Sequence, residues 1–265
     1  MSALLASLMA LGIGAAPSDQ VVEQFEDCTY THTGGDYKDE VFHYRLLKPA
    51  KIEPGKKYPV VLFLHGAGER GDDNKSQLLY LPEMMADKEH QEKYPCFLIA
   101  PQCRAGKVWG GSRRASKAGD SANEPSDQLK VAIAALKEVE QKYPVDPKRV
   151  YLTGLSMGGY GSWDLAARHP EWFAAVVPIC GGGDESTAEK LKDVPLWAVH
   201  GGADTIVPVD QTRKMIEAVK KAGGLPKYSE LDGVGHNSWI PGYTDPKGAL
   251  PWMFEQVNER RKAGS

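Results

Sequence analysis

The chain has 265 residues, 42% hydrophobic and 25% charged, which is enough for one α/β domain with a large core and no need of a second. Its net charge of −3 excludes the concentrated basic face of a nucleic-acid-binding domain, since the only cluster, Lys107, Arg113, Arg114 and Lys117, sits in a polar loop. Seven histidines form no His-Glu-x-x-His pair, and none stands at metal-ligand spacing from Cys28, Cys96, Cys103 or Cys180, so no metal and no cofactor are expected.

Residues 1–16 read as a signal peptide. The apolar run Leu4 to Ile13 ends in small residues, with Gly14 and Ala16 placed for cleavage before Pro17. The run is too short to span a bilayer as a stable helix, no Lys or Arg precedes it, and no acylatable cysteine follows it. A secreted or periplasmic location without membrane span or lipid anchor is therefore expected, with an ordinary N-terminal helix as the alternative. Residues 17–265 read as one domain.

Val21 to Tyr30 and Val41 to Leu47 look like an antiparallel strand pair turning at Gly34-Gly35-Asp36. Then come strand 58–64, a helix around Gln77 to Lys93, strand 97–100, helix 126–143, strand 149–153, helix 158–168 and strand 173–179. A short helix near 185–192, strand 195–200, helix 209–222, strand 227–231 and a final helix 249–262 complete the chain. Repeated strand-helix units imply right-handed crossovers and an α/β fold: one doubly wound, mostly parallel sheet with the antiparallel pair at its N-terminal side. Residues 101–125, rich in Gly, Ser and Ala, break the rhythm at the carboxyl end of a strand, the edge where open α/β sheets place ligands. The cysteines are compatible with an oxidising compartment. Cys96 and Cys103 flank strand 97–100 beyond bridging range unless the chain turns sharply, and Cys180 reads as a small core residue.

Gly154-Leu155-Ser156-Met157-Gly158 lies between a β-branched run and a helix-like segment. Strand, serine, helix is the order of a nucleophile elbow, in which a Cβ at either glycine would collide with neighbouring backbone. Downstream, Asp204 follows the apolar run Pro195 to His200 and two glycines, and His236 lies in the glycine-rich loop 233–239. A serine hydroxyl needs an imidazole to take its proton, and the imidazole needs a carboxylate to fix its tautomer. Ser156, His236 and Asp204 are the residues expected in those roles. Standing alone, Asp204 is a helix cap and His236 a solvated loop residue. Backbone N–H groups of Met157, after the serine, and Ala67, in the loop His65-Gly66-Ala67-Gly68-Glu69-Arg70-Gly71, are expected to form an oxyanion hole. Phosphate binding is the rival for this loop, but the Lys-Ser/Thr ending of a P-loop is missing.

These motifs, with His200 to Pro208 and Gly235 to Trp239, resemble the α/β-hydrolase superfamily. Within it they are similar to bacterial secreted carboxylesterases of the phospholipase/carboxylesterase and dienelactone-hydrolase branch, which grades into feruloyl and acetylxylan esterases and prolyl-oligopeptidase-type domains. The resemblance spans about Val41 to the C-terminus. It implies a serine carboxylic-ester hydrolase working through an acyl-enzyme on short-chain or aromatic, feruloyl-type esters, including small molecules and esters linked to polysaccharide. A prolyl-oligopeptidase-type peptidase would use the same triad but carries an additional gating domain. A non-catalytic binding protein of this fold would have lost a triad residue or an elbow glycine. Trp109 and Trp239 are expected to line the substrate pocket, with core packing as the alternative for each.

Overall fold

The computed structural model describes residues 16–110 and 124–261. Residues 1–15 of the expected signal peptide, and Arg113, Arg114 and Lys117 of the basic cluster, lie outside the described residues.

The first described element is a helical turn, α1 (Asp19–Val22), where a strand is expected from Val21. The Ser18 hydroxyl accepts from the Val21 N–H and Asp19 occupies the first turn, and this capping outweighs the β-propensity of two valines. The hairpin β1 (Phe25–Gly34) and β2 (Tyr37–Leu47) follows, turning at Gly35 with φ +56°. In β3 (Tyr58–Leu64) all seven residues are buried.

The expected single helix over 77–93 is instead a 3-10 turn followed by α2 (Leu81–Ala86) and α3 (Lys88–Lys93). Two residues interrupt it. Tyr80 has φ +68°, and Asp87 is extended so that its carboxylate caps α3 through the His90 N–H. The chain continues through β4 (Phe97–Pro101), α4 (Asp127–Lys142), β5 (Val145–Leu155), α5 (Met157–Arg168), β6 (Ala175–Ile179) and α6 (Ala188–Leu191). It closes with β7 (Trp197–Gly201), α7 (Asp210–Lys221), β8 (Lys227–Leu231), α8 (Trp239–Thr244) and α9 (Ala249–Glu255). The last helix is shorter than its expected range. Gln256 turns extended, and Asn258 donates from its side-chain amide to the Glu171 and Phe173 carbonyls, which ties the tail across the sheet.

The eight strands form one sheet in the order β1-β2-β4-β3-β5-β6-β7-β8, parallel throughout except for the pairings that β2 makes with β1 and β4. Strand periodicity sorts the core. Val60, Leu62 and Leu64 pack with residues of α4, α5 and α7 such as Leu136, Trp163 and Met215, whereas Val61 and Phe63 pack with Leu81, Met85, Tyr243 and Leu250 on the opposite face. All four cysteines are buried and free.

The helix after β5 lies directly on the sheet. A Cβ at Gly158 would stand 1.8 Å from the Leu64 carbonyl oxygen, and one at Gly154 would stand 2.5 Å from the Gly158 oxygen. Backbone cannot yield there as a flexible side chain would. Gly158→Ala should therefore cost about 3 kcal/mol in a denaturant titration, while Gly68→Ala, where a Cβ meets nothing within 4 Å, should stay within about 0.5 kcal/mol.

Candidate active site

β5 delivers Ser156 at φ +53° and ψ −115°, a conformation that non-glycine residues rarely adopt. Its N–H is held by the Ile179 carbonyl at 2.9 Å, and its side chain stands at the N-terminus of α5. His236 Nε2 lies 3.0 Å from Ser156 Oγ, and His236 Nδ1 lies 2.7 Å from Asp204 Oδ2. With the carboxylate ionised, Nδ1 carries the proton and Nε2 accepts from the serine hydroxyl.

The other oxygen of Asp204 accepts from the Ile206 and Val207 N–H groups at 2.8 and 2.9 Å. Burial alone would raise the carboxyl pKa. The hydrogen bonds from His236, Val207 and Ile206 outweigh it, and the net shift is downward. Asp210, six residues on, forms an exposed ion pair with Arg213 at 2.8 Å and takes no part. Among the other serines, Ser162 is buried and donates to the Gly158 carbonyl.

On the far side of the serine, Met157 is the first residue of α5, where a helix leaves its amides without intrahelical acceptors. Ala67 opens a 3-10 turn in the loop after β3, and Arg70 Nε donates to Met157 Sδ at 3.2 Å, joining the two segments. Beneath the loop His65 is buried: Nδ1 donates to the Gly66 carbonyl at 2.6 Å and Nε2 accepts from Cys103 N–H at 2.9 Å.

The two tryptophans part company. Trp109 is 1% exposed, its indole N–H donates to the His65 carbonyl at 3.0 Å, and its ring meets the His65 ring edge-on at 5.1 Å. It is a packing anchor under the loop and not a pocket wall, because a ring walled in by Gly161 and His65 has no face left for a ligand. Trp239 packs edge-to-face on His236 at 5.4 Å and against Tyr80 at 5.3 Å. With Tyr80, Met84, Ile240 and Tyr243 it lines a cavity of about 880 Å³.

Residues 97–239, more than half of the chain, match the dienelactone hydrolase family. The chain belongs to this family. A segment of 89 residues is 35% identical to NocK of Nocardia uniformis subsp. tsuyamanensis, covering 33% of this chain and 26% of that protein. The Aspergillus flavus protein assigned as feruloyl esterase C is 25% identical over 220 residues, covering 82% of this chain and 75% of its own length. A crystal structure of a thermostable esterase superposes with a TM-score of 0.80 at 36% identity, covering 89% of this chain and 64% of that one. This chain thus spans less than two thirds of the length of NocK and of the thermostable esterase. No described helix is long and apolar enough to cross a membrane.

In this dienelactone hydrolase family member, one mixed-ligand cluster stands out among the described residues. The Cys180 thiol, the Asp204 carboxylate and a His236 ring nitrogen all lie within 4.8 Å of one another. A metal ion there would have to break the 2.7 Å Asp204–His236 bond, and burial holds the thiol protonated, its pKa pushed up to about 12. Three residues to which the sequence reading gave no role also belong to the site: His65, His200 and Tyr80. The available signal was position, since each histidine sits at the end of an apolar strand where a polar ring must find partners inside the protein.

Burial depresses the His65 pKa from 6.5 to about 4, despite the opposing bond to Gly66. The unfolded chain therefore takes up a proton near pH 6.5 that the folded chain refuses until about pH 4. Stability is full above the higher value and falls with pH across that window, by about 3 kcal/mol from this group. Equilibrium unfolding at pH 7.5 and 4.5 should show a smaller loss in His65→Gln than in the wild type; equal losses would assign the slope to carboxylates.

Proposed function

We propose that this chain is a serine esterase that hydrolyses carboxylic esters through an acyl-enzyme on Ser156. One observation carries the reading: the unbroken hydrogen-bond series from Ser156 Oγ through both nitrogens of His236 to Asp204, at 3.0 and 2.7 Å. In this scheme His236 takes the hydroxyl proton as Oγ attacks the ester carbon, and the Met157 and Ala67 N–H groups receive the charge developing on the carbonyl oxygen. The imidazolium, stabilised by Asp204, returns its proton to the departing alcohol. Water then repeats the sequence on the acyl-enzyme.

The proposed substrates are short-chain or aromatic acyl esters, free or attached to polysaccharide. Support comes from the likeness to feruloyl esterase C and from the Tyr80–Trp239 ring pair beside His236. Export of the chain is part of the proposal and rests on the apolar run Leu4 to Ile13.

Asp204→Asn should lower kcat on a chromogenic acetyl ester by about 10⁴ and Ser156→Ala by about 10⁶ with the fold intact, while Asp210→Asn should leave it near wild type. Full activity in a folded Ser156→Ala variant would end the serine mechanism. On a panel of acetyl, butyryl, octanoyl and feruloyl esters beside a prolyl amide, turnover confined to the amide would move the assignment to a peptidase.

The tryptophans give a separate test. Trp239→Ala should raise KM for feruloyl more than for acetyl esters, through loss of a ring contact of about 1 kcal/mol. Trp109→Ala should instead lower stability by about 3 to 5 kcal/mol without changing that ratio. Selectivity that follows Trp109 and not Trp239 would reverse the two roles.

A further inference from the structure

Asp204 is addressed by a second histidine. His200 is the penultimate residue of β7, four residues before the aspartate, and is wholly buried. Its Nε2 lies 3.1 Å from Asp204 Oδ2, the same oxygen that His236 Nδ1 approaches at 2.7 Å, and 3.0 Å from the Val207 carbonyl. Both atoms facing Nε2 are acceptors, so a proton belongs there. The other nitrogen, Nδ1, lies 2.7 Å from Thr212 Oγ1, and that oxygen also stands 2.5 Å from the Gly181 carbonyl, so its single proton has two acceptors in reach.

We infer that His200 is a positioning residue that donates from Nε2 to Asp204 and thereby sets how strongly the carboxylate holds the proton on His236. The inference rests on the triad reading above. The carboxylate then receives four N–H groups: Ile206 and Val207 on Oδ1, His236 and His200 on Oδ2. Four donors leave it no freedom to rotate and disperse its charge. Withdrawing the His200 donor concentrates that charge on His236, favours the imidazolium, and moves the acid limb of kcat/KM to higher pH.

The titratable neighbours come from every side. Asp204 and His236 face the ring, Glu230 of β8 lies within electrostatic range and is paired with Arg213 of α7, and the Cys180 thiol beyond β6 stays protonated. Burial holds the His200 pKa down against the opposing pull of Val207 and Asp204. A neutral ring keeps its one proton on Nε2, where a carboxylate and a carbonyl wait, and Thr212 then turns its single hydroxyl proton to Nδ1 and away from the Gly181 carbonyl.

Two amide substitutions separate positioning from bulk. His200→Gln places an N–H near the former Nε2, within reach of Asp204, whereas His200→Asn places its amide near the former Nδ1 and serves only Thr212. The Asn variant should shift the acid limb upward by about half a unit to one unit and lower kcat about ten-fold with KM nearly unchanged. The Gln variant should restore most of both. Equal behaviour of the two folded variants, in either direction, overturns the inference.

A measurement on the wild type needs neither turnover nor a variant. With ¹⁵N-labelled histidine at pH 7, the His200 signal should report a protonated Nε2 bonded to an acceptor, and a bare Nε2 overturns the assignment. Because this signal is read without substrate, its failure is distinct from a failure of Ser156→Ala to abolish esterase activity.

Discussion

The site depends on how closely α5 approaches the sheet. The helix begins immediately after Ser156, and its second residue, Gly158, rests on the Leu64 carbonyl with no room for a methyl group. That contact fixes the serine above the carboxyl ends of β3 and β5, holds its backbone at positive φ, and brings the Met157 N–H beside the loop that carries Ala67. A side chain at either elbow glycine would lift the helix and separate all of these groups at once.

A second constraint is electrostatic. Three histidines surround the site and differ mainly in exposure. His65 and His200 are buried, their pKa values are pulled down by desolvation, and both serve as hydrogen-bond connectors between loops. His236 is partly exposed and stands between Ser156 and Asp204. Burial thus separates chemically identical side chains: His65 and His200 are held inside the protein as hydrogen-bond connectors, while His236 reaches solvent. Glu69, in the loop after β3, follows the same logic. Its carboxyl is buried with one oxygen lacking a partner, and desolvation raises its pKa.

The family membership and the geometry meet on the aromatic side of the site. Trp239 meets the His236 ring edge-to-face and, with Tyr80, lines a cavity whose walls include neither Ser156 nor His236. Tyr80 holds that position through a strained backbone immediately before α2, which starts at Leu81-Pro82 and is followed by the Asp87-capped α3.

What the sequence determined by itself was local and periodic. Alternating strand and helix patterns, the all-apolar run Tyr58 to Leu64 and the Gly34-Gly35 turn are properties of short segments, and the sheet agrees with them; the motifs around Ser156, Asp204 and His236 are likewise local. Element limits failed where a side chain acted on the backbone: Ser18 capping α1, Asp87 splitting the helix over 77–93, and Asn258 pulling the tail away after Glu255. Only the tertiary structure decided which of two tryptophans is buried. Trp109 and Trp239 both sit in polar, glycine-containing segments, and nothing local says that the first falls beneath the His65 loop while the second meets His236. The same holds for His200, whose partner Thr212 comes from α7 and in turn lies against Gly181 after β6. Hydrogen bonds between distant segments leave no period in the sequence, because they depend on where the packed sheet places each strand end.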